Sequence, residues 1–429
     1  IGIPSDMLSA FRSNEGVTSS FIFSDMIIPH KILINFNENS HTLLYSDEGY
    51  NIWSSGKLYL KNTFSQKDFK TSYISNEEYV SYQKHKSINY FFSEAMSSYI
   101  LAKAIEVKEP NTITEKIPEV NSVYIYLEKD EPFLILSNDE KHLKVTNLNF
   151  NIKGLREIVN TIELNGNYTY YYSIRDTLGS DNDLYIPYKM TSNIPTVYVQ
   201  NEIKIDDREE IRGIAEGFFN KDIDYLREIV ERNGSTIYIY NQNVLKIYQN
   251  GYLEYFSPLE EPVRERNLYI SLNTAADFIS SHSGALKGMY LDRIEEVEWD
   301  NNLGYKLIFK YRIKGMPLVV GCPDMEPSIE VEVYNKYVRS YKRFVREDVN
   351  YNLLESRYIL DKGISSKEGN RNLNKEVIDS IEDISLAYFD SCQKEVNEKL
   401  IGVWSITIEG RVYAFDVYTG ELIYESKNL

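Results

Sequence analysis

Histidine and cysteine are the side chains that most often bind catalytic metals, and the spacing of the histidines here disfavours such a site. The five histidines are His30, His41, His85, His142 and His282. No two stand at the spacing of ligands on one helix, and the chain has neither an HExxH motif nor a cysteine-paired pattern. The sequence therefore predicts no zinc catalysis, no metal ligands and no cofactor.

Ser281-His282-Ser283 places a hydroxyl beside an imidazole, as a serine nucleophile requires. The tripeptide stands at the end of a predicted helix, before Gly284, where a histidine commonly interacts with the last carbonyl groups. We favour that capping role over catalysis. His30 follows Pro29 at the start of a predicted strand and is interpreted as a solvent-exposed loop residue.

Two groups of carboxylates could bind a cation or transfer a proton. Asp181–Asp183 resembles the start of a calcium loop, but the twelfth position would be Ser192 and not the glutamate that such loops use. The glutamates of Glu295–Trp299 alternate with Val297 and Trp299, which is typical of a strand with one solvated face. No glycine-rich phosphate loop follows a predicted strand. We therefore predict no catalytic residues.

Composition limits the classes of partner. The 429 residues carry a net charge of −17, which repels nucleic acid and anionic lipid. A hydrophobic fraction of 42% with 36 tyrosines is typical of folded domains with half-buried strand surfaces. No run of about 18 apolar residues predicts a transmembrane helix. Because the sequence starts at Ile1 without an initiator methionine, we expect one apolar anchoring helix upstream in the full gene product.

Cys322 and Cys392 are the two cysteines of the chain, and two arrangements are open to them. One is a disulfide that closes a loop of roughly 70 residues, which the chain-entropy treatment values at about 4 kcal/mol. The other is a pair of unpaired structural thiols. We favour the unpaired thiols.

Antiparallel hairpins are the elements that would position a binding site, and their pattern occurs three times toward the C-terminus. The copies span residues 234–258, 315–341 and 403–422, and each alternates apolar and polar residues with a period of two. In the first copy Tyr238 and Tyr240 share one face, while Ile237 and Ile239 share the other. We expect the isoleucines to pack inward, which leaves both tyrosines outward as candidate partner-binding residues.

Breaks in this pattern divide the chain into domains. Gly, Asn, Asp and Pro accumulate between Thr177 and Pro195, and the polar run 362–372 is interpreted as a linker. We predict an α+β protein of three domains, 1–195, 196–350 and 351–429, with helices packed on antiparallel sheets. The second and third domains are predicted to be structurally related. Trp404 is expected to be buried in the last one.

These segments resemble the YycH (WalH) regulatory proteins of low-GC Gram-positive bacteria. The resemblance is carried by the hairpin 234–258, by Gly315-Met-Pro317 followed by the ribbon 329–343, and by Asp25 to Pro29 followed by a Lys-Ile-Leu-Ile strand. The tail 403–420 is similar to the ends of YycI and PepSY-like domains. Together the segments cover most of the chain, although the cysteine pair and the high tyrosine content are not part of the family pattern.

The resemblance implies a non-enzymatic extracytoplasmic protein, held at the membrane by one N-terminal helix, whose second and third domains have the YycI-type fold. It implies that the protein modulates a WalK (YycG) sensor histidine kinase together with a YycI-like partner, and so affects cell-wall metabolism. One alternative is a PepSY-type inhibitor or chaperone of an extracellular protease, which the C-terminal hairpin favours. A secreted hydrolase with converging carboxylates is another. The sign of regulation is not predicted.

Overall fold

The computed structural model describes residues 22–45, 51–166, 168–180, 182, 184–188, 194–322, 328–349 and 378–426. These residues form helices that pack on nine-, eight- and six-stranded sheets, together with a small three-stranded sheet, which confirms the α+β class. Among the described strands every pairing is antiparallel apart from one. No helix within these ranges is long and apolar enough to span a membrane.

The N-terminal unit is built on the nine-stranded sheet, whose order is β3-β7-β6-β5-β4-β1-β2-β8-β9. Its strands are β1 Lys31–Asn37, β2 Ser40–Leu44, β3 Lys70–Ile74, β4 Ser87–Ser97, β5 Glu119–Tyr126, β6 Leu134–Ser137, β7 His142–Thr146, β8 Tyr170–Ser173 and β9 Tyr185–Tyr188. Its helices are α1 Phe23–Met26, α2 Ile52–Ser65, α3 Asn76–Tyr82, α4 Ser98–Ala104, α5 Ile113–Lys116, α6 Lys153–Asn165 and α7 Ile174–Leu178.

The two faces of this sheet have different cores. Buried apolar residues of α2 and α6, such as Phe64 and Leu155, join the main hydrophobic core on one face. On the other face Tyr79 of α3 packs on an aromatic group that includes Tyr124 and Phe133. A sheet buried on both faces favours continuous apolar runs over alternation, and 123–126 of β5 and 134–136 of β6 are such runs.

The middle unit repeats one motif, a helix followed by a four-stranded meander. The first copy is α8 Arg208–Phe219, β11 Arg227–Val230, β12 Thr236–Tyr240, β13 Asn243–Ile247 and β14 Leu253–Phe256. The second is α9 Leu268–His282, β15 Tyr290–Trp299, β16 Asn302–Lys310, β19 Ile329–Tyr334 and β20 Tyr337–Arg343. Their last strands, β14 and β20, pair antiparallel, so one eight-stranded sheet results. This repetition lies within the predicted second domain, whereas the sequence predicted a relationship between the second and third domains.

The C-terminal sheet takes strands from both sides of the predicted boundary at residue 350. Its order is β17-β18-β22-β24-β25-β26. The strands are β17 Arg312–Ile313, β18 Met316–Val320, β22 Ile381–Asp390, β24 Ile401–Ile408, β25 Arg411–Asp416 and β26 Leu422–Glu425. The sequence pattern placed 316–320 in one hairpin with 329–341, and that grouping is wrong. Strand β18 instead pairs in parallel with β22. The sequence could not predict this pairing, because the alternation within a strand does not identify the neighbouring strand.

A three-stranded sheet joins the middle and C-terminal units. It consists of β10 Tyr198–Asn201 between β21 Arg346–Val349 and β23 Glu398–Lys399. The linker predicted at 362–372 and most of the helix predicted near 374–382 lie outside the described residues.

Cys322 and Cys392 form a disulfide with a Cα–Cα distance of 5.2 Å, so the unpaired thiols favoured from the sequence are wrong. The two positions are 70 residues apart in the chain. They meet because each stands two residues after the end of one strand of the parallel pair β18 and β22.

Candidate interaction surface

The predicted orientation of the tyrosine hairpin is reversed in the structure. Tyr238 is fully buried, whereas Ile237 and Ile239 are partly exposed. The tyrosine face lies against the helices: Phe218 of α8 packs on Tyr255 of the same sheet face, with ring centroids 5.6 Å apart. Tyr238 therefore belongs to the core, and the outward side chains of β12 are the isoleucines.

A polar contact at the edge of the core makes this orientation possible. The Tyr238 hydroxyl donates to the Glu228 carboxylate over 3.1 Å, and the Arg212 guanidinium on α8 donates to the same carboxylate over 2.9 Å. The hydrogen bond from Arg212 leads the causes that lower the pKa of Glu228 to about 2, so this carboxylate is charged at neutral pH. A tyrosine can be buried when its hydroxyl has a partner. Tyr240, at the end of the strand, stays partly exposed beside Phe219.

An apolar patch occupies the opposite face of the sheet. It consists of five partly exposed residues from four adjacent strands, namely Ile229, Ile237, Ile239, Val244 and Phe256. They are neighbours by register: Ile229 is opposite Ile237, Val244 is opposite Ile239, and Phe256 is opposite Val244. Partly exposed apolar side chains in one contiguous group are typical of a protein contact surface.

Arg339 borders the apolar patch and is held between two aromatic rings. Its guanidinium carbon lies 4.1 Å from the ring centre of Trp299 and 5.2 Å from that of Phe256. It also donates to Glu332 over 2.9 Å. Trp299 is 42% exposed, although it is the largest side chain of the group. Aromatic residues and arginine in this arrangement are enriched where proteins bind one another.

Beyond Arg339 the same face carries cross-strand ion pairs. Lys342 on β20 pairs with Glu330 on β19 over 3.3 Å, and Lys306 on β16 pairs with Glu295 on β15. Charges that are paired within the sheet leave no unpaired charge buried when a partner covers them. The face therefore combines an apolar centre with neutralised charges, in a chain whose net charge is −17.

The candidate catalytic residues of the sequence mostly make structural contacts. The Ser281 hydroxyl lies 3.0 Å from the His282 Nδ1, but it also lies 2.7 Å from the carbonyl oxygen of Asp277, to which it donates. The same Nδ1 lies 2.8 Å from the carbonyl oxygen of Phe278, as in a helix C-terminal cap. The Glu295 carboxylate forms an ion pair with Lys306, so we interpret it as part of a charged strand surface and not as a catalytic carboxylate. Asp181 and Asp183 lie outside the described residues. Within the described ranges no group of three metal-ligating side chains occurs.

His30 is not an exposed loop residue, contrary to the sequence interpretation. It is partly buried where the N-terminal unit meets the strands that follow β16, and its Nδ1 lies 3.0 Å from the carbonyl oxygen of Phe91. Burial there lowers the pKa of His30 to about 3. No sequence pattern indicates this contact, because it joins residues 61 positions apart.

Two buried arginines at the junction of the middle and C-terminal units were also not predicted from the sequence. The Arg343 guanidinium binds both oxygens of Glu202, at 2.8 and 2.5 Å. Arg346 donates to Asp390 over 2.8 Å, and both members of that pair are at most 2% exposed. A cleft of about 560 Å³ lies beside this junction, between Ile203 and Val396. Buried ion pairs fix geometry, so these residues are interpreted as structural.

Comparison with solved structures identifies the fold. The chain superposes on YycH from Bacillus subtilis with a TM-score of 0.58 and 15% sequence identity, over 94% of this chain and 99% of that one. This likeness confirms the resemblance seen in the sequence at the level of the fold. An uncharacterized protein from Eubacterium rectale (TM-score 0.37, 16% identity) covers 57% of this chain and 92% of its own. The Bacillus megaterium YpeB C-terminal domain (TM-score 0.25, 14% identity) covers 51% and 96%.

No protein-family profile matches the chain, and no curated protein matches it significantly. The fold comparison is therefore the link to known proteins on which a function can be argued.

Proposed function

We propose that the chain is a non-enzymatic regulatory protein that acts outside the cytoplasm by binding other proteins. Its partners would be a sensor histidine kinase of the WalK (YycG) type and a YycI-like protein, and its effect would be on cell-wall metabolism. The observation that carries the proposal is the YycH fold over 94% of the chain. The apolar patch supports it, because it offers a surface for a protein.

The proposed contact is the apolar patch with the adjoining Arg339 and Trp299. Truncation of a central apolar residue in a protein interface commonly weakens binding by about tenfold or more. Tyr238 is a poor probe of docking, because its ring is in the core and its replacement would disturb folding. The isoleucines of β12 are the better positions, since their side chains point away from the helices.

The first test replaces Ile237 and Ile239 together with Ser and measures binding to the cognate YycI-like protein and to the kinase ectodomain. We expect the affinity for one of them to fall by about tenfold or more. The matched control is Leu164→Ser, which alters an 86% exposed apolar residue of the N-terminal unit. Circular dichroism checks that both variants are folded. Unchanged affinity in the folded double variant would remove the patch from the proposal.

The alternative of a PepSY-type inhibitor or chaperone of an extracellular protease makes a different prediction. It requires the chain to lower the activity, or raise the folding yield, of a secreted protease from the same cell. We expect neither effect. If the chain binds neither the YycI-like protein nor the kinase, the regulatory proposal is rejected.

The proposed location is the outer face of the cell membrane, with a single anchoring helix that precedes Ile1 in the gene product. The upstream coding sequence tests the anchor. An open reading frame that starts within a few codons of Ile1 would contradict it.

A further inference from the structure

The connection between β16 and β19 leaves the eight-stranded sheet, although these two strands are neighbours in it. Residues 311–322, here called the arm, carry β17 and β18 into the six-stranded sheet. The register of β18 with β22 runs from Leu318 opposite Tyr388 to Val320 opposite Asp390. A parallel pairing of this length is weak, so the arm depends on other attachments.

A disulfide holds the far end of the arm. The Gly321 amide donates to the carbonyl of Asp390 over 2.9 Å, and the next residue, Cys322, is bonded to Cys392. Cys322 is buried, at 7% exposure, whereas Cys392 is partly exposed. Cys392 also has a φ of 54°, in the left-handed region that a non-glycine residue adopts at a cost. Because Cys392 is the more exposed residue of the pair, we expect an external thiol to approach from its side.

The near end of the arm contacts the N-terminal unit. The Arg312 guanidinium donates to the carbonyl oxygen of His30 and lies 4.3 Å from the ring centre of Tyr290. The arm thus starts in the middle unit, touches the N-terminal unit through Arg312 and enters the C-terminal sheet through β18. A change in its attachment changes how the three units are held together.

We propose that Cys322–Cys392 is a thiol–disulfide exchange site and that its reduction releases the arm from the C-terminal sheet. The thiolate of a dithiol reductant, a small molecule or an oxidoreductase, attacks the Cys392 sulfur. The S–S bond breaks, and the Cys322 sulfur leaves as a thiolate and takes a proton. The second thiolate of the reductant then attacks its own sulfur in the mixed disulfide and frees Cys392, which takes the second proton. Two electrons pass to the pair, and the reductant leaves as its disulfide.

The arm is expected to open after reduction because only non-covalent contacts then hold it to the C-terminal sheet. The arm then keeps its short parallel register with β22, the Arg312 contacts and the Lys314–Asp348 ion pair. It also keeps the apolar packing of Ile313 and Leu318, while the link that closed its far end is gone. Segments with few attachments open locally at lower free energy than the whole fold, and their amides exchange faster. The core strands β12 to β14 belong to the eight-stranded sheet, whereas the disulfide joins the ends of strands of the six-stranded sheet, so their exchange is expected to stay the same. This regulation goes beyond the proposed function, because it does not depend on which protein the chain binds.

The experiment measures hydrogen exchange by mass spectrometry on the oxidised and the dithiothreitol-reduced chain. We expect amides of 316–322 and 384–390 to exchange at least about tenfold faster after reduction, with 236–256 unchanged. Alkylation under native conditions should label two thiols in the reduced chain. The Cys322→Ser/Cys392→Ser variant is the control, and its arm should exchange fast with or without reductant.

Three results would overturn the proposal. A pair that resists dithiothreitol until the protein is denatured is not an exchange site. An arm that stays protected after two thiols are labelled is not released by reduction. Faster exchange over the whole chain, 236–256 included, would mean that the disulfide stabilises the fold in general and does not control the arm.

Discussion

His30 lies where the N-terminal unit meets the arm. Its ring bonds the carbonyl of Phe91, and its own carbonyl accepts from Arg312. Burial, together with the neighbouring Lys31 and Arg312 cations, lowers the pKa of His30 to about 3, while the Asp383 carboxylate opposes this shift. The imidazole is therefore neutral in the folded protein at neutral pH.

This pKa predicts how His30 changes stability with pH. The unfolded chain protonates His30 near pH 6.5, while the folded chain protonates it only near pH 3. Between these values the unfolded state binds more protons, so the free energy of unfolding falls as the pH falls. Urea unfolding measures the free energy of unfolding at pH 7 and at pH 5. The decrease from pH 7 to pH 5 should be smaller for His30→Asn than for the natural chain. His85→Asn controls for loss of a surface histidine, and equal losses in all three proteins would contradict the prediction.

At the scale of elements, β24 is a central strand of the six-stranded sheet, and Trp404 is its largest side chain. Trp404 lies opposite Leu386 on β22 and Phe415 on β25. It is partly buried and packs against two hydrophobic clusters, one of which includes Ile174 of the N-terminal unit. The strand therefore supports both its own sheet and the contact between the terminal units.

We expect Trp404→Ala to lower the free energy of unfolding by about 3 kcal/mol, because it removes a large apolar side chain and leaves a cavity between two clusters. The control is Leu422→Ala on β26 of the same sheet, where the side chain is 50% exposed and the cost should stay within about 0.5 kcal/mol. Chemical unfolding followed by circular dichroism compares them. Equal stability of the Trp404 variant and the natural chain would show that this face does not support the sheet.

At the scale of the whole molecule, the three units are interlocked. Lys31 of the N-terminal sheet pairs with Asp383 of the C-terminal sheet over 2.7 Å. Asn182 donates to the carbonyl of Ile381 over 2.7 Å. The arm and the three-stranded sheet add links between the middle and C-terminal units. Units that share strands and buried ion pairs are expected to unfold together and not as independent domains.

The three tryptophans allow this to be measured, because each unit holds one: Trp53, Trp299 and Trp404. Variants that keep a single tryptophan, with the other two replaced by Phe, report on one unit each. In each variant we expect the urea midpoint measured by tryptophan fluorescence to coincide with the midpoint measured by circular dichroism. A unit whose fluorescence changes at a clearly lower urea concentration than the circular dichroism would be an independent domain.

The sequence by itself determined the elements and the local geometry of this protein. The alternating segment Glu295–Trp299 lies in strand β15, as predicted. The predicted hairpin 403–422 turns at Glu409-Gly410, where both residues have positive φ, as a tight hairpin requires. The α+β class and the YycH resemblance followed from these local patterns. Such features depend on neighbours in the chain, and the sequence contains that information directly.

The tertiary structure alone decided which face of each strand is buried and which strands are partners. A period of two shows that Tyr238 and Tyr240 share a face, but the position of α8 and the carboxylate of Glu228 decide that this face is inward. The pairing of Cys322 with Cys392 likewise depends on the parallel contact of β18 with β22. These outcomes are set by contacts between residues far apart in the chain, which alternation and turn residues do not encode.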